Sequence, residues 1–300
     1  MPSRADRGHV ETPPDAALVP TVAAVWSRRH GGAARDDRVR RILPDGSADL
    51  VLGFAPVGPD TPGLAPAALA LTDVWVVGTM RTARVVDADA ASAYVGVRLR
   101  PEAAGRVLGV AAHALVDERL PLDAVWPGAG ASFAALARVP DLAAARAGVQ
   151  QALLLRLTRI APLPSEVVQA VQLLEATNGR VRIGAACDGL GVSRQHLARQ
   201  FARHVGLAPK AFARVARLRA LDADLRARER CGARVCWSTL AYAHGYADQP
   251  HLVDEVRELT GLTPGAWLRE RRAAAGAPVR SRRRFHSLKA RSASACNVGA

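Results

Sequence analysis

Short apolar stretches broken by Gly, Pro and Asp fill the first half of the chain, and helical spacing takes over in the second. From about Val22 to Val97, "RILPDGSADLVLGF", "DVWVVGTM", "ARVVDA" and "AYVGVRLRP" read as strands and turns, with Pro44-Asp45-Gly46 as a turn signal. In "YVGVRLR", strand alternation puts Val95, Val97 and Leu99 on one face and Tyr94, Arg98 and Arg100 on the other. Residues 57–70 are rich in Pro, Gly and Ala and read as a loop. "PEAAGRVLGV" opens with Pro101 and predicts a short helix. "DLAAARAGVQQALLLRLTRI" predicts a longer one with Leu153, Leu154 and Leu157 on its apolar face, ended by "APLP" at 161–164. "SEVVQAVQLLEATNG" then sets Val167, Val168, Val171 and Leu174 at helical spacing, with Ser165 as the expected N-cap and Gly179 as the stop. Seven helices are predicted between Ser165 and Arg272. The expected organisation is multidomain: a flexible arm over 1–20, a strand-rich α+β domain over 21–160, an all-α domain over 165–272, and a disordered basic tail over 273–300.

The all-α part repeats itself. "GVSRQHLARQFARHVGLAP", from Gly191 to Pro209, is echoed by "GYADQPHLVDEVRELTGLTP", from Gly245 to Pro264. A shift of 55 residues puts Ser193 on Asp248, two good N-caps, and aligns His196, Leu197, Gly206, Leu207 and Pro209 with identical residues at His251, Leu252, Gly261, Leu262 and Pro264. The matches fall at helix ends and apolar positions, where a structural unit must agree. Each unit reads as helix, tight turn, capped helix and glycine stop, with a small residue in the first helix, Ala186 or Ala241. This is helix-turn-helix chemistry: the small residue lets two helices cross closely, and the second helix can enter a major groove with its N-terminal residues at base edges.

Residues 165–272 resemble the DNA-binding domain of the AraC/XylS family of bacterial transcription regulators. The resemblance rests on "SRQHLARQFARHVGLAPKAF", the linking stretch "RVARLRALDADL", and "LAYAHGYADQPHLVDEVRELTGLTPGAW". It implies two helix-turn-helix units on one linking helix, both recognition helices facing DNA in successive major-groove segments, and base readout near Gln195, Ala198 and Arg199. The residues agree with that implication. Gln195 and Arg199 are four apart and share a helix face. Gln can read adenine and Arg can read guanine, each bidentately. Arg194 and Arg203 are expected near phosphates, and Ser193, Gln249 and His251 at the DNA-facing helix ends. His196 and His251 also sit beside core leucines, which is a structural position. Phe201, Phe212, Trp237 and Trp267 are expected in the core.

Charge separates the two ends of the chain. From Val181 onward 22 Lys/Arg stand against 9 Asp/Glu, which is +13 of the whole chain's +14. A neutral front and a basic back point to a polyanion partner for the back, here double-stranded promoter DNA. The balance is +8 over 181–234 (12 basic, 4 acidic) and −3 over 235–270 (2 basic, 5 acidic). Arg199, Gln200 and Arg203 align with Asp254, Glu255 and Glu258, so carboxylates are expected near phosphates in the second unit. The first unit is therefore expected to dominate DNA affinity, with the second supporting it or contacting RNA polymerase.

The front also has a family look. "RILPDGSADLVL", "VVGTM", "VGVRLRPEAAGRVLG" and "LVDERLPLDAVW" resemble an uncharacterised domain found ahead of such DNA-binding domains, over roughly 20–130. By analogy it implies sensing of a small-molecule effector, or formation of a homodimer. Tyr94, Arg98 and Arg100 on one strand face can hold an anionic ligand or form a solvated face, and Asp45 and Asp49 can pair with those arginines. Trp26 and Trp75 can line an apolar pocket or fill the core.

Other classes find little support. No Gly-rich phosphate loop follows a strand, and there is no nucleophile elbow or zinc-helix motif. Cys187, Cys231, Cys236 and Cys296 lack metal-ligand spacing and read as reduced thiols, whereas a DNA-repair relative of the family uses a metal-bound cysteine cluster. No enzyme activity, cofactor or metal is expected. "MPSRADRGHVETPPD" lacks the apolar core of a signal peptide, and "LALTDVWVVG" is too short to span a bilayer, so a cytoplasmic protein is expected. The competing reading is a scaffold that binds DNA without regard to sequence.

Overall fold

The computed structural model describes residues 9–29, 39–57, 68–87 and 93–274. The expected basic tail, including Cys296, and most of the 57–70 loop lie outside the described residues. In the front half, apolar alternation builds β1 (His9–Thr12), β2 (Val22–Arg29), β3 (Val39–Ile42), β4 (Asp49–Val57), β5 (Ala68–Val77), β6 (Arg84–Asp87) and β7 (Ala93–Leu99). After a 3-10 turn come α1 (Ala104–Leu108), β8 (Arg119–Pro121), α2 (Ala129–Phe133), β9 (Arg138–Val139) and the long α3 (Leu142–Leu157). The main sheet is antiparallel, in the order β1-β2-β7-β4-β5-β8 with β9 also on β5, while β3 and β6 form a separate two-stranded ribbon.

Leu50, Leu52, Phe54, Val95, Val97 and Leu99 alternate onto the inner sheet face and are buried there with Ala145, Val149 and Leu153 of α3. On the outer face Trp26 lies flat over Gly96 of the paired strand, where a Cβ would stand 2.0 Å from the indole. Trp26 and Trp75 are both half-buried on the sheet surface and stand outside the buried core. The arm expectation is corrected for residues 9–18. His9–Thr12 pairs with Thr12↔Val25 through His9↔Arg28, and Leu18 is fully buried. Non-local pairing with β2 holds this polar segment in place.

The back half contains seven helices among the described residues: α4 (Ser165–Ala176), α5 (Ile183–Leu190), α6 (Arg194–His204), α7 (Pro209–Arg230), α8 (Trp237–Ala243), α9 (Gln249–Thr260) and α10 (Pro264–Ala274). At the start of α4 the expected cap shifts by one residue. Pro164 is the N-cap, without a side-chain hydrogen bond, and Ser165 is the first helical residue. Proline holds an extended backbone ahead of the helix, so it takes the boundary itself. The stop at Gly179 holds: its N–H donates to Leu174 O at 2.7 Å with φ at +67°. Two small cores serve the two units. Val167, Val171, Leu174, Leu197, Phe201, Leu207 and Phe212 form the first. Leu221, Leu225, Leu240, Leu252, Val256, Leu259 and Trp267 belong to the second. Each accepts an apolar residue from the front domain, Val116 in the first and Leu43 in the second. No helix among the described residues is long and apolar enough to cross a membrane.

Candidate nucleic-acid interface

Local sequence sets both recognition helices, α6 and α9. Ser193 Oγ accepts the His196 N–H at 3.1 Å, and Asp248 Oδ1 accepts the aligned His251 N–H at 2.8 Å. These bonds satisfy donors that a helix N-terminus leaves open. The helices stop alike. Gly206 and Gly261 both lie in left-handed backbone, with φ of +91° and +75°, which a side chain would strain. Ala186 and Ala241 are both buried where the paired helices cross. The 55-residue echo is therefore a repeat in three dimensions.

On α6 the amphipathic split is clean. Leu197, Phe201 and His204 are buried, while Arg194, Gln195, Ala198, Arg199 and Arg203 are exposed. Phe201 meets Phe212 edge to face at 6.0 Å between ring centres. Gln195 and Arg199 form no side-chain hydrogen bond or ion pair among the described contacts, which leaves an amide and a guanidinium presented to solvent. Arg194 lies back against Gly184 of α5, where a Cβ would stand 2.4 Å from its guanidinium. The Ser193 hydroxyl accepts the cap bond and keeps its proton for a further acceptor. His196 Nε2 stands 3.5 Å from Glu166 of α4, which ties it to the domain frame.

α9 corrects the expectation about its acids. Glu255 is buried and faces the linking helix α7, with Arg214 Nε at 3.0 Å and Arg217 Nη1 at 3.6 Å. Glu258 receives both terminal nitrogens of Arg214, at 3.0 and 2.6 Å. Arg214 in turn lowers the Glu258 carboxyl below its ordinary range, chiefly through that hydrogen bond. Two of the three acids are thus paired with arginines of α7, Glu255 buried and Glu258 exposed, while the exposed Asp254 makes no ion pair among the described contacts. Gln249 and His251 are exposed at the helix start, and His251 Nδ1 accepts the Ala247 N–H at 3.2 Å. The sequence reading passed over Arg257, the exposed base on α9 that aligns with Ala202 and so has no counterpart in the first unit. It also passed over Tyr242, an exposed aromatic on α8. Trp267, Phe201 and Phe212 are core residues as expected, and Trp237 is partly buried against the second core.

The front-domain trio does not form one cluster. Arg98 holds Asp45 at 3.1 Å and Asp49 at 3.5 Å, the pairing that the turn sequence suggests. Burial raises the Asp49 carboxyl to about 6 against the pull of Arg98. Tyr94 stands four residues along the strand, roughly 13 Å away, and meets Trp75 edge-on. Arg100 lies past the end of β7 and donates to Val19 O at 2.6 Å. A shallow cleft of about 240 Å³ opens elsewhere, between Asp73–Trp75 and Arg119–Pro121, with Arg119 stacked on Trp75 at 4.2 Å. Among the described residues no group of three or more His, Cys, Asp or Glu is placed to hold a metal ion. Cys187 is buried, and Cys231 and Cys236 are exposed and free.

One buried histidine is expected to make the first unit sensitive to acid. His204 ends α6 with its Nδ1 unpartnered, and burial, then Arg106 of α1, then Arg203 lower its pKa, with Glu166 opposing. A histidine depressed in the folded state binds fewer protons than in the unfolded chain. Its contribution is complete above the ordinary value of 6.5 and fades as pH falls toward the folded value. Wild type should lose more stability than His204→Gln when the pH drops from above 6.5 to about a unit below it. Equal losses in paired denaturation curves would show that His204 does not titrate this way. Other groups, including buried Glu102, are common to both proteins and cancel in the comparison.

Residues 186–270 match the helix-turn-helix domain family HTH_18, and residues 10–121 match a domain of unknown function, DUF6597. No curated protein matches the chain. Among solved structures, ToxT from Vibrio cholerae O395 is similar at 10% identity with a TM-score of 0.38, covering 77% of this chain and 95% of that one. Unsaturated fatty acid bound wild-type ToxT from Vibrio cholerae strain SCE256 is similar at 10% identity with a TM-score of 0.35, covering 89% and 96%. Scores below 0.5 do not equate the folds.

Proposed function

We propose that this chain, whose residues 186–270 match a helix-turn-helix domain family, is a DNA-binding transcription regulator of the AraC/XylS type that reads promoter sequence chiefly through its first unit. The observation that carries this reading is the asymmetry of the two recognition helices. The outward residues of α6 are basic or amide-bearing, while the acids of α9 turn mostly toward α7. Gln195 and Arg199 read bases, Ala198 offers a small apolar contact, and Arg194, Arg203 and the Ser193 hydroxyl meet phosphates. The second unit docks at the N-terminus of α9, where Gln249 and His251 read a second, weaker base block and Asp254 opposes phosphate. The working domains are 21–160 and 165–272. The front domain biases DNA occupancy through a small-molecule effector or by pairing protomers on repeated half-sites. An anionic effector meeting Arg98 must exchange with Asp45 and Asp49. RNA polymerase contact follows from binding at promoters in the cytoplasm.

A footprint of the full chain on DNA flanking its own gene, complemented by selection from random sequence, tests this reading. Wild type should protect a discrete site. Arg199→Ala should bind that site about 10- to 100-fold more weakly, the worth of one bidentate base contact. Its affinity for unrelated DNA should change little. Undiminished binding of Arg199→Ala at the selected site would remove Arg199 from base reading. Diffuse, salt-sensitive binding by wild type, with no sequence enriched, would favour the scaffold reading.

A further inference from the structure

The front domain grips both recognition helices at the same point of the repeat. The residue after the last turn of α6 is Val205, and the 55-residue shift places it on Thr260 at the end of α9. Both carbonyls accept hydrogen bonds from the front domain: Thr79 Oγ1 donates to Val205 O at 3.1 Å, and Arg41 Nη1 donates to Thr260 O at 2.9 Å. A third bond, from Ala83 N–H to Leu259 O at 2.7 Å, secures the second contact. The last carbonyls of a helix lack intrahelical donors, so each grip satisfies acceptors that the helix leaves open.

The gripping residues are held as one piece. Thr79 and Ala83 belong to the short connection between β5 and β6. Its backbone is pinned by Asp117, whose N–H donates to Thr79 O at 3.0 Å and whose carboxylate accepts the Arg81 N–H at 2.9 Å. Arg84 donates to Asp117 O. Arg41 lies on the ribbon opposite Val85 and clasps Glu270 of α10 at 2.8 and 3.3 Å. Backbones touch at the first grip. A Cβ on Gly105 would stand 2.4 Å from Arg203 O, and one on Gly206 would stand 2.9 Å from Ala112 O. The grips sit at the C-terminal ends of α6 and α9, and the base-reading residues sit at the capped N-terminal ends. An 11-residue helix separates these by about 16 Å, so the grip leaves the DNA-facing ends open.

We infer that Thr79 and Arg41 are positioning residues for DNA recognition: acting from one rigid piece, they fix the two recognition helices relative to each other and so set the spacing between the two base blocks the protein selects. This rests on the sequence-reading function proposed above. Thr79 and Arg41 sit at the helix ends opposite the proposed base-reading residues, so their loss should leave the identity of the first block unchanged and alter the distance to the second.

The test is selection from random double-stranded DNA with the full chain, comparing wild type with Thr79→Val, Arg41→Gln and the conservative Thr79→Ser. Wild type is expected to enrich two blocks at one spacing. Thr79→Val and Arg41→Gln should shift that spacing or spread it over neighbouring values, and Thr79→Ser should restore it. Thermal unfolding of each variant identifies any that fails to fold. Should Thr79→Val fail, Arg41→Gln, at a partly exposed contact, decides alone. An unchanged single spacing in folded Arg41→Gln overturns the inference while leaving sequence reading intact. A single enriched block in wild type overturns it as well. Enrichment of no sequence at all brings down the proposed function.

Discussion

Replacing Glu255 by alanine is expected to destabilise the second helix-turn-helix unit by about 3 kcal/mol, the lower end of the cost of breaking a buried ion pair. Glu255 is 5% exposed and lies between two arginines of the linking helix. Without it Arg217, only 15% exposed, loses its one carboxylate among the described residues and keeps the Gly179 carbonyl and the face of Tyr246. Arg214 retains Glu258, which is why the lower end applies. Burial, and then the Glu255 carboxylate, also raise the Tyr246 hydroxyl above its ordinary range, so this phenol stays neutral beside the pair. Glu255→Gln keeps the shape and one acceptor and should cost less. Asp254→Ala, on the exposed face, should stay within about 0.5 kcal/mol of wild type. Denaturant unfolding followed by tryptophan emission checks the order, since Trp267 is buried in the same core. Glu255→Ala as stable as wild type would mean that the arginines find water or other partners at no cost.

Glu255 also shows where the sequence stops being informative. The echo identified the caps, the glycine stops and the buried leucines of both units, because each is fixed by local backbone chemistry or by helical period. It equally aligned Glu255 and Glu258 with Gln200 and Arg203, and from that alignment both acids were expected near DNA. The linking helix takes them instead, since Arg214 and Arg217, separated by about 40 residues of chain, face them across the second core. No periodicity within α9 reports that partner. The pairing of Arg98 with Asp45 and Asp49 was legible for the opposite reason: strand alternation and one turn suffice to bring them together. His9–Thr12 was not legible, because a polar four-residue strand gains its order only from β2. The domain contact was least legible of all. Thr79 and Val205 lie 126 residues apart, and a threonine at the end of a strand carries no local sign of a helix end waiting for it.

Phe212→Ala should be the most damaging single truncation at that contact, costing about 3–5 kcal/mol. Phe212 begins the linking helix and is 1% exposed, so truncation removes a whole ring from a closed core. Its ring stands edge-on to Phe201 of the first recognition helix, a geometry that adds to its area burial. Its other side meets the front domain at Gly46, where a Cβ would lie 2.6 Å from the ring. One side chain therefore joins the front-domain turn, the recognition helix and the linking helix, and the cavity left behind opens between all three. Gly46→Ala probes the same contact from the opposite side: it adds volume against the ring at a backbone φ of +82°, which alanine tolerates poorly, and should also destabilise. Denaturation of the full chain should show both losses. A Phe212→Ala loss close to 3–5 kcal/mol, with Gly46→Ala indistinguishable from wild type, would confine the role of Phe212 to the helical core. A Gly46→Ala cost that shrinks when Phe212 is also truncated would mean that the front-domain turn and the first unit are packed as one body, the condition under which a change in the front domain can reach the helix proposed to read DNA.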